Sequence, residues 1–152
     1  AIRKAMLESP MVMVESFLDG VEISQGCYKT REKSVVLPAT EVVTTNEFFD
    51  YDAKYNGQVQ EITPARLNPE TAERVAKLTS HIYDILHCNG IIRVDYIISR
   101  GIGSDGEPCD KINMLEINTT PGMTATSFIP QQVRAAGLDM KTVLSEIVEN
   151  QF

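Results

Sequence analysis

Two spacings alternate along the chain, one of period two and one close to 3.6, and together they sketch its elements. From Val21 to Lys29 apolar and polar residues alternate as in a half-buried strand, and Ser34 to Leu37 and Thr40 to Val43 do the same. Thr30-Arg31-Glu32-Lys33 joins the first two of these runs as a turn. Ile91 to Ser99 is rich in β-branched residues and puts Arg93, Asp95 and Ile97 on one face, while Met114, Glu116 and Asn118 share a face in the strand that Thr119-Thr120-Pro121-Gly122 must break. Helical spacing takes over at Val75, Leu78, Ile82, Ile85 and Leu86, between an Asn68-Pro69 start and an Asn89-Gly90 stop. A helix over Pro130–Ala136, capped by Ser127 or Thr126 and stopped by Gly137, precedes another in which Asp139 caps the face Met140, Val143, Leu144, Ile147 and Val148. Ala1–Leu7 reads as a helix that Ser9-Pro10 stops, and Met11 to Glu15 as a short buried strand. Thr44 to Gly57 is aromatic, charged and without period, hence a loop. The sum is an α+β domain covering 1–152, a largely antiparallel sheet flanked by helices.

The two polar strand faces can be set against each other. If Asp105-Gly106 is the hairpin turn between them, residues whose numbers sum to 211 lie opposite, which pairs Asp95 with Glu116 and Arg93 with Asn118. The glycines and Pro108 in the loop mean that this register holds only if bulges on the two sides balance. Two carboxylates directly across a ladder repel. A hard cation taking oxygen ligands, with the Asn118 amide oxygen beside them, would relieve that repulsion.

Composition adds mostly exclusions. A chain of 152 residues that is 43% hydrophobic can bury one core, and a net charge of −7 without a basic stripe argues against a nucleic-acid partner. Cys27, Cys88 and Cys109 are odd in number and lack a C-x-x-C spacing, so neither a disulfide framework nor a zinc site is indicated, and a reducing cytoplasm is the expected setting. No run approaches membrane-spanning length and no signal-peptide pattern opens the chain. His81 and His87, six apart on one helix, are poorly spaced for a shared metal.

Four blocks in order carry a resemblance: Val14-Glu15-Ser16-Phe17-Leu18-Asp19-Gly20-Val21-Glu22, then Phe48-Phe49-Asp50-Tyr51-Asp52-Ala53-Lys54-Tyr55, then Ile92-Arg93-Val94-Asp95, and finally E-I-N-T-T-P-G-M-T-x-x-S-x-x-P from Glu116 to Pro130. In these the chain is similar to the C-terminal part of the D-alanine–D-alanine ligases, members of the ATP-grasp superfamily. The fold this implies is an ATP-grasp C-terminal subdomain. An N-terminal domain and the first part of the ATP-grasp domain are then expected upstream of Ala1.

The resemblance implies a residue-by-residue site. Glu15, Ser16, Phe17 and Leu18 would frame the adenine of ATP, Glu22 its ribose, and Phe48 would pack on the base. Lys54 would approach the γ-phosphate from a lid that keeps water from a phosphorylated intermediate. Asp95, Glu116 and Asn118 would hold two magnesium ions, with manganese an accepted substitute, and Arg93 with the Gly122 N–H would face the reacting oxyanion. Tyr55 and Ser127 would receive the acceptor D-alanine. The implied reaction is ATP-dependent ligation of two D-alanines for peptidoglycan synthesis, and the full-length chain is compatible with a homodimer. Ser16 stands where many relatives have Lys, and Asp52 where Glu is usual. The alternatives are another ATP-grasp carboxylate–amine ligase, for which the metal trio would be shared, and a noncatalytic nucleotide-binding module.

Overall fold

The computed structural model describes residues 1–44 and 59–152. Phe48, Lys54 and Tyr55 therefore lie outside the described residues, as does Asp52. The described elements run, in order, α1 (Ile2–Ala5), β1 (Val21–Lys29), β2 (Ser34–Val36), β3 (Thr40–Thr44), β4 (Val59–Ile62), α2 (Pro69–Ile85), β5 (Ile91–Ile102), β6 (Pro108–Asn118), α3 (Phe128–Ala135) and α4 (Met140–Glu149). The strands form one antiparallel sheet in the order β4-β3-β1-β5-β6, with β2 also pairing with β1. This is the expected sheet flanked by helices. β4 was not expected, because Val-Gln-Glu-Ile is too short to declare a period by itself.

β1 changes partner along its length, pairing with β3 at Glu22–Ser24 and with β2 at Cys27–Lys29. Alternation splits its side chains. Ile23 and Cys27, with Ile92, Val94, Tyr96 and Ile98 of β5, pack under α2 through Val75, Ile82 and Tyr83. On the other face Tyr28 and Ile91 pack with Ile129 and Val133 of α3 and Val143 of α4. These helices cover only one half of that face, and the other half is left for polar residues.

Local signals set most helix ends. The Asn68 side chain accepts from the Thr71 N–H with Pro69 at the first position, and the Asp139 carboxylate accepts from the Thr142 N–H. Gly137, at φ 70, follows α3 in the left-handed conformation that glycine tolerates best. α2 stops earlier than expected, at Ile85, because His87 turns to φ 50, and Ile85 and Leu86 are exposed where the spacing had placed them in the core.

The largest departure lies near the N-terminus. Met11 to Glu15 forms no strand, and Met11, Met13 and Val14 are exposed, Met13 at 80%. An extended apolar run becomes a buried strand only when a neighbour completes its ladder and covers its faces. Among the described residues no strand pairs with it. α1 is a single turn with no buried residue.

Candidate functional site

The open half of the sheet is crossed by two rows of paired residues. One runs Thr40, Ser24, Asp95, Glu116 across β3, β1, β5 and β6; the other runs Glu61, Val42, Glu22, Ile97 across β4, β3, β1 and β5. Above them the turn after β6 and the start of α3 close a cavity of about 400 Å³. Its walls include Glu22, Glu61, Arg93, Asp95, Glu116, Gly122, Ser127 and Phe128.

The expected pairing is present: Asp95 lies opposite Glu116 and Arg93 opposite Asn118. The route to it differs from the one expected. Near the turn the pairs sum to 210, as in Ile102 with Pro108 and Tyr96 with Met114, and an irregularity between Asp95 and Tyr96 leaves Leu115 as an extra residue. That single bulge restores the sum of 211 at the site. It also corrects the face of Met114, which pairs with buried Tyr96 and does not line the cavity, whereas Leu115 does.

Charges on this face are unequal. Arg93 grips Asp95 with both arms of its guanidinium, Nε to Oδ1 at 2.9 Å and Nη2 to Oδ2 at 2.7 Å, and lies 3.8 Å from Glu116 Oε1. Its guanidinium also sits 5.3 Å from the centre of the Phe128 ring. The Ser24 hydroxyl donates to Asp95 Oδ1 at 2.6 Å. Burial first, and then repulsion from Asp95, pushes the Glu22 carboxyl above its ordinary range, against the opposing pull of Arg93. Three carboxylates thus share one cationic side chain. An oxygen-rich face with surplus negative charge suits a hard divalent cation. Among the described residues, however, no group of three or more His, Cys, Asp or Glu side chains is gathered into a ready metal cluster.

The turn residues fall as follows. The Asn118 side-chain oxygen accepts from the Thr120 N–H at 3.0 Å and so shapes the turn itself. At Gly122 a Cβ would come within 2.9 Å of the Ser127 Oγ, so the backbone there is open to close approach. Ser127 occupies the N-cap of α3 as expected, yet its hydroxyl makes no cap bond and pairs with the Thr124 hydroxyl at 2.7 Å. Glu61 accepts a hydrogen bond from Gln131 of α3, whose amide also donates to the Thr126 carbonyl at 2.8 Å. Of the residues expected around a nucleotide, Glu22 lines the cavity. Glu15, Ser16 and Phe17 do not, and Leu18 lines a different one beside the β5–β6 hairpin.

Ser24, Glu61, Leu115 and Phe128 were not singled out from the sequence. A signal existed for Ser24: it stands two residues from Glu22 on a strand and so shares its face. Phe128 follows Ser127 directly, within the block that carries the resemblance.

The family model described as "D-ala D-ala ligase C-terminus" matches residues 1–149. A D-alanine--D-alanine ligase from Bacteroides fragilis is 67% identical over all 152 residues, and one from Phocaeicola vulgatus is 66% identical over the same span. The chain spans 44% of the length of each. Among solved structures, a Bacillus anthracis D-alanine--D-alanine ligase complexed with ATP is 34% identical, with a TM-score of 0.62 over 90% of this chain and 41% of its own. D-alanyl-alanine synthetase A from Vibrio cholerae, at 24% identity, shares the fold with a TM-score of 0.77 over 98% of this chain and 44% of its own.

Proposed function

The chain belongs to the D-alanine–D-alanine ligase family, and on that premise we propose that it forms the C-terminal part of an enzyme that uses ATP to join two D-alanines. The product would serve peptidoglycan precursor synthesis in the cytoplasm. The observation that carries this reading is the cross-strand pairing of Asp95 with Glu116 on an acidic face beside Arg93 and the glycine turn. Amide formation in water needs an activated carboxylate. In this reading the γ-phosphate passes to the first D-alanine carboxylate, giving an acyl phosphate and ADP, and the second D-alanine's amine attacks it and expels phosphate.

Each residue has a stated part. Asp95, Glu116 and Asn118 would hold two magnesium ions, for which manganese could substitute. Bound there, the ions would neutralise charge on the β- and γ-phosphates. Arg93 and the Gly122 N–H would stabilise the oxyanion of the tetrahedral intermediate, a role in which one lost donor costs about 3–4 kcal/mol in other enzymes. Ser127, at the start of α3, would take the acceptor carboxylate, where helix N–H groups also point. Glu15, Ser16, Phe17 and Leu18 would frame adenine and Glu22 the ribose. Phe48, Lys54 and Tyr55 would close the site and favour an amine acceptor. Whatever precedes Ala1 in the complete protein would supply the rest of the nucleotide site, and two full-length copies would pair.

The test uses the complete protein. Asp95→Asn and Glu116→Gln should each nearly abolish D-alanine-dependent phosphate release from ATP and dipeptide formation, and near-normal turnover in either would reject the metal roles. Phosphate release that responds to a different amine and not to D-alanine would assign another carboxylate–amine ligase. Tight Mg·ATP binding by calorimetry with no release under any condition would make the protein a noncatalytic nucleotide-binding module.

A further inference from the structure

We infer that Ser24 is a positioning residue for Asp95, holding the carboxylate in place from the neighbouring strand. The inference rests on the metal role proposed for Asp95 and concerns how that side chain is held.

In the structure Asp95 Oδ1 has two donors of different kinds. Arg93 comes from the same strand on a long, rotatable side chain, and its guanidinium also lies over the Phe128 ring. Ser24 comes from the neighbouring strand, directly opposite Asp95 in the ladder, is buried, and reaches Oδ1 at 2.6 Å. One rotatable bond separates the serine hydroxyl from a backbone that is itself fixed. β3 and β5 flank Ser24 on its two sides, and its carbonyl accepts from the buried Gln132 amide at 2.8 Å.

The two donors also face different demands. A guanidinium carries five N–H groups, so Arg93, with two of them on Asp95, also has donors for an oxyanion, whereas the serine hydroxyl has one proton and gives it to Asp95. Besides Arg93, the serine hydroxyl is the hydrogen-bond donor to that carboxylate among those observed. Ser24 thereby fixes the position of Oδ1 at the wall of the cavity. Groups that orient a metal-binding side chain in this way typically change metal affinity about 10–100-fold when lost.

The experiment is Mn²⁺ binding to the complete protein with ADP present, read as the loss of the free-ion EPR signal, for wild type, Ser24→Ala, Ser24→Thr and Asp95→Asn. Ser24→Ala should weaken Mn²⁺ binding by about tenfold or more, with its thermal midpoint close to wild type. Ser24→Thr, which retains the hydroxyl, should bind nearly as wild type does. In turnover, Ser24→Ala should raise the Mg²⁺ concentration needed for half-maximal rate and recover most of kcat at saturating Mg²⁺, which a merely structural defect would not do. Asp95→Asn weakening Mn²⁺ binding while Ser24→Ala leaves it unchanged overturns the inference alone. Unchanged binding in Asp95→Asn overturns the metal reading and the inference with it.

Discussion

Gln132 gives the sharpest stability prediction. Between Ser24 and Cys27, where β1 changes partner from β3 to β2, the ladder has a gap. The Gly26 carbonyl is met by the Leu37 N–H, but its own N–H points into the gap and is accepted by Gln132 Oε1 at 2.8 Å. The other end of the same amide donates to the Ser24 carbonyl at 2.8 Å and to the Thr40 hydroxyl at 3.1 Å. A fully buried helix side chain thus stands in for a missing strand. Close approach requires Gly26, since a Cβ there would lie 2.8 Å from the Gln132 oxygen and 2.6 Å from Ile129 Cδ1. Gln132→Leu leaves one backbone N–H and one carbonyl without these partners in a dry interior, at about 1–3 kcal/mol each. Thr40 keeps its bond to the Thr63 hydroxyl and adds little. The expected loss is about 3–4 kcal/mol, a large share of a typical 5–15 kcal/mol total. Urea unfolding of the complete protein measures it, and amide hydrogen exchange at Gly26 locates it. Gln132→Glu retains the acceptor but not the donor and buries a charge, so it should cost at least as much. A loss below about 1 kcal/mol for Gln132→Leu, with Gly26 exchange unchanged, would refute the surrogate-strand argument.

Two further outcomes follow from neighbouring contacts. Arg66 donates through Nε to Glu41 Oε2 at 2.9 Å and also through its backbone N–H, and these bonds hold the buried Glu41 carboxyl below the ordinary glutamate range. Stability from a depressed carboxyl is present above its unfolded pKa, about 4.3, and is lost as pH falls through the folded value. The Tm gap between wild type and Arg66→Met should therefore be widest near neutral pH and shrink in acid; a gap constant with pH would contradict the assignment. Gly122→Ala places its Cβ against the Ser127 hydroxyl, so steady-state kinetics of the complete protein should show a higher KM for the acceptor D-alanine with the KM for ATP little changed. Equal rises in both would argue that the turn as a whole had shifted.

What the sequence disclosed depended on how local the cause was. Helix caps at Asn68 and Asp139, the glycine after α3 and the strand Val21–Lys29 follow from residues within a few positions and are as expected, while β5 runs past the expected end at Ser99 to Ile102, where pairing with β6 extends it. Met11 to Glu15 failed because a strand is completed by its neighbours, and periodicity carries no information about them. Met114 failed because alternation counts residues and a bulge adds one. Glu61 and Gln132 reach the site or its support only through long-range pairing, with Gln132 bonding to Gly26 across 106 positions, so no short window could reveal them.

The bulge explains why the acidic pair exists at all. Continuing the turn-proximal register without it would put Leu115 opposite Asp95 and Glu116 opposite Val94, whose side chain is fully buried under α2. Because side chains alternate, that one-residue slip would drive Glu116 toward the apolar core and take Asn118 to the same side, opposite Ile92. An unpaired carboxylate in such a place is costly enough to resist the slip. Leu115, left without a partner in the observed ladder, instead lines the acidic cavity beside Glu116. The apolar demand of Val94, Tyr96 and Ile98 on one face therefore fixes which polar side chains meet on the other. The hairpin turn alone, summing to 210, would have placed the carboxylates on opposite sides of the sheet.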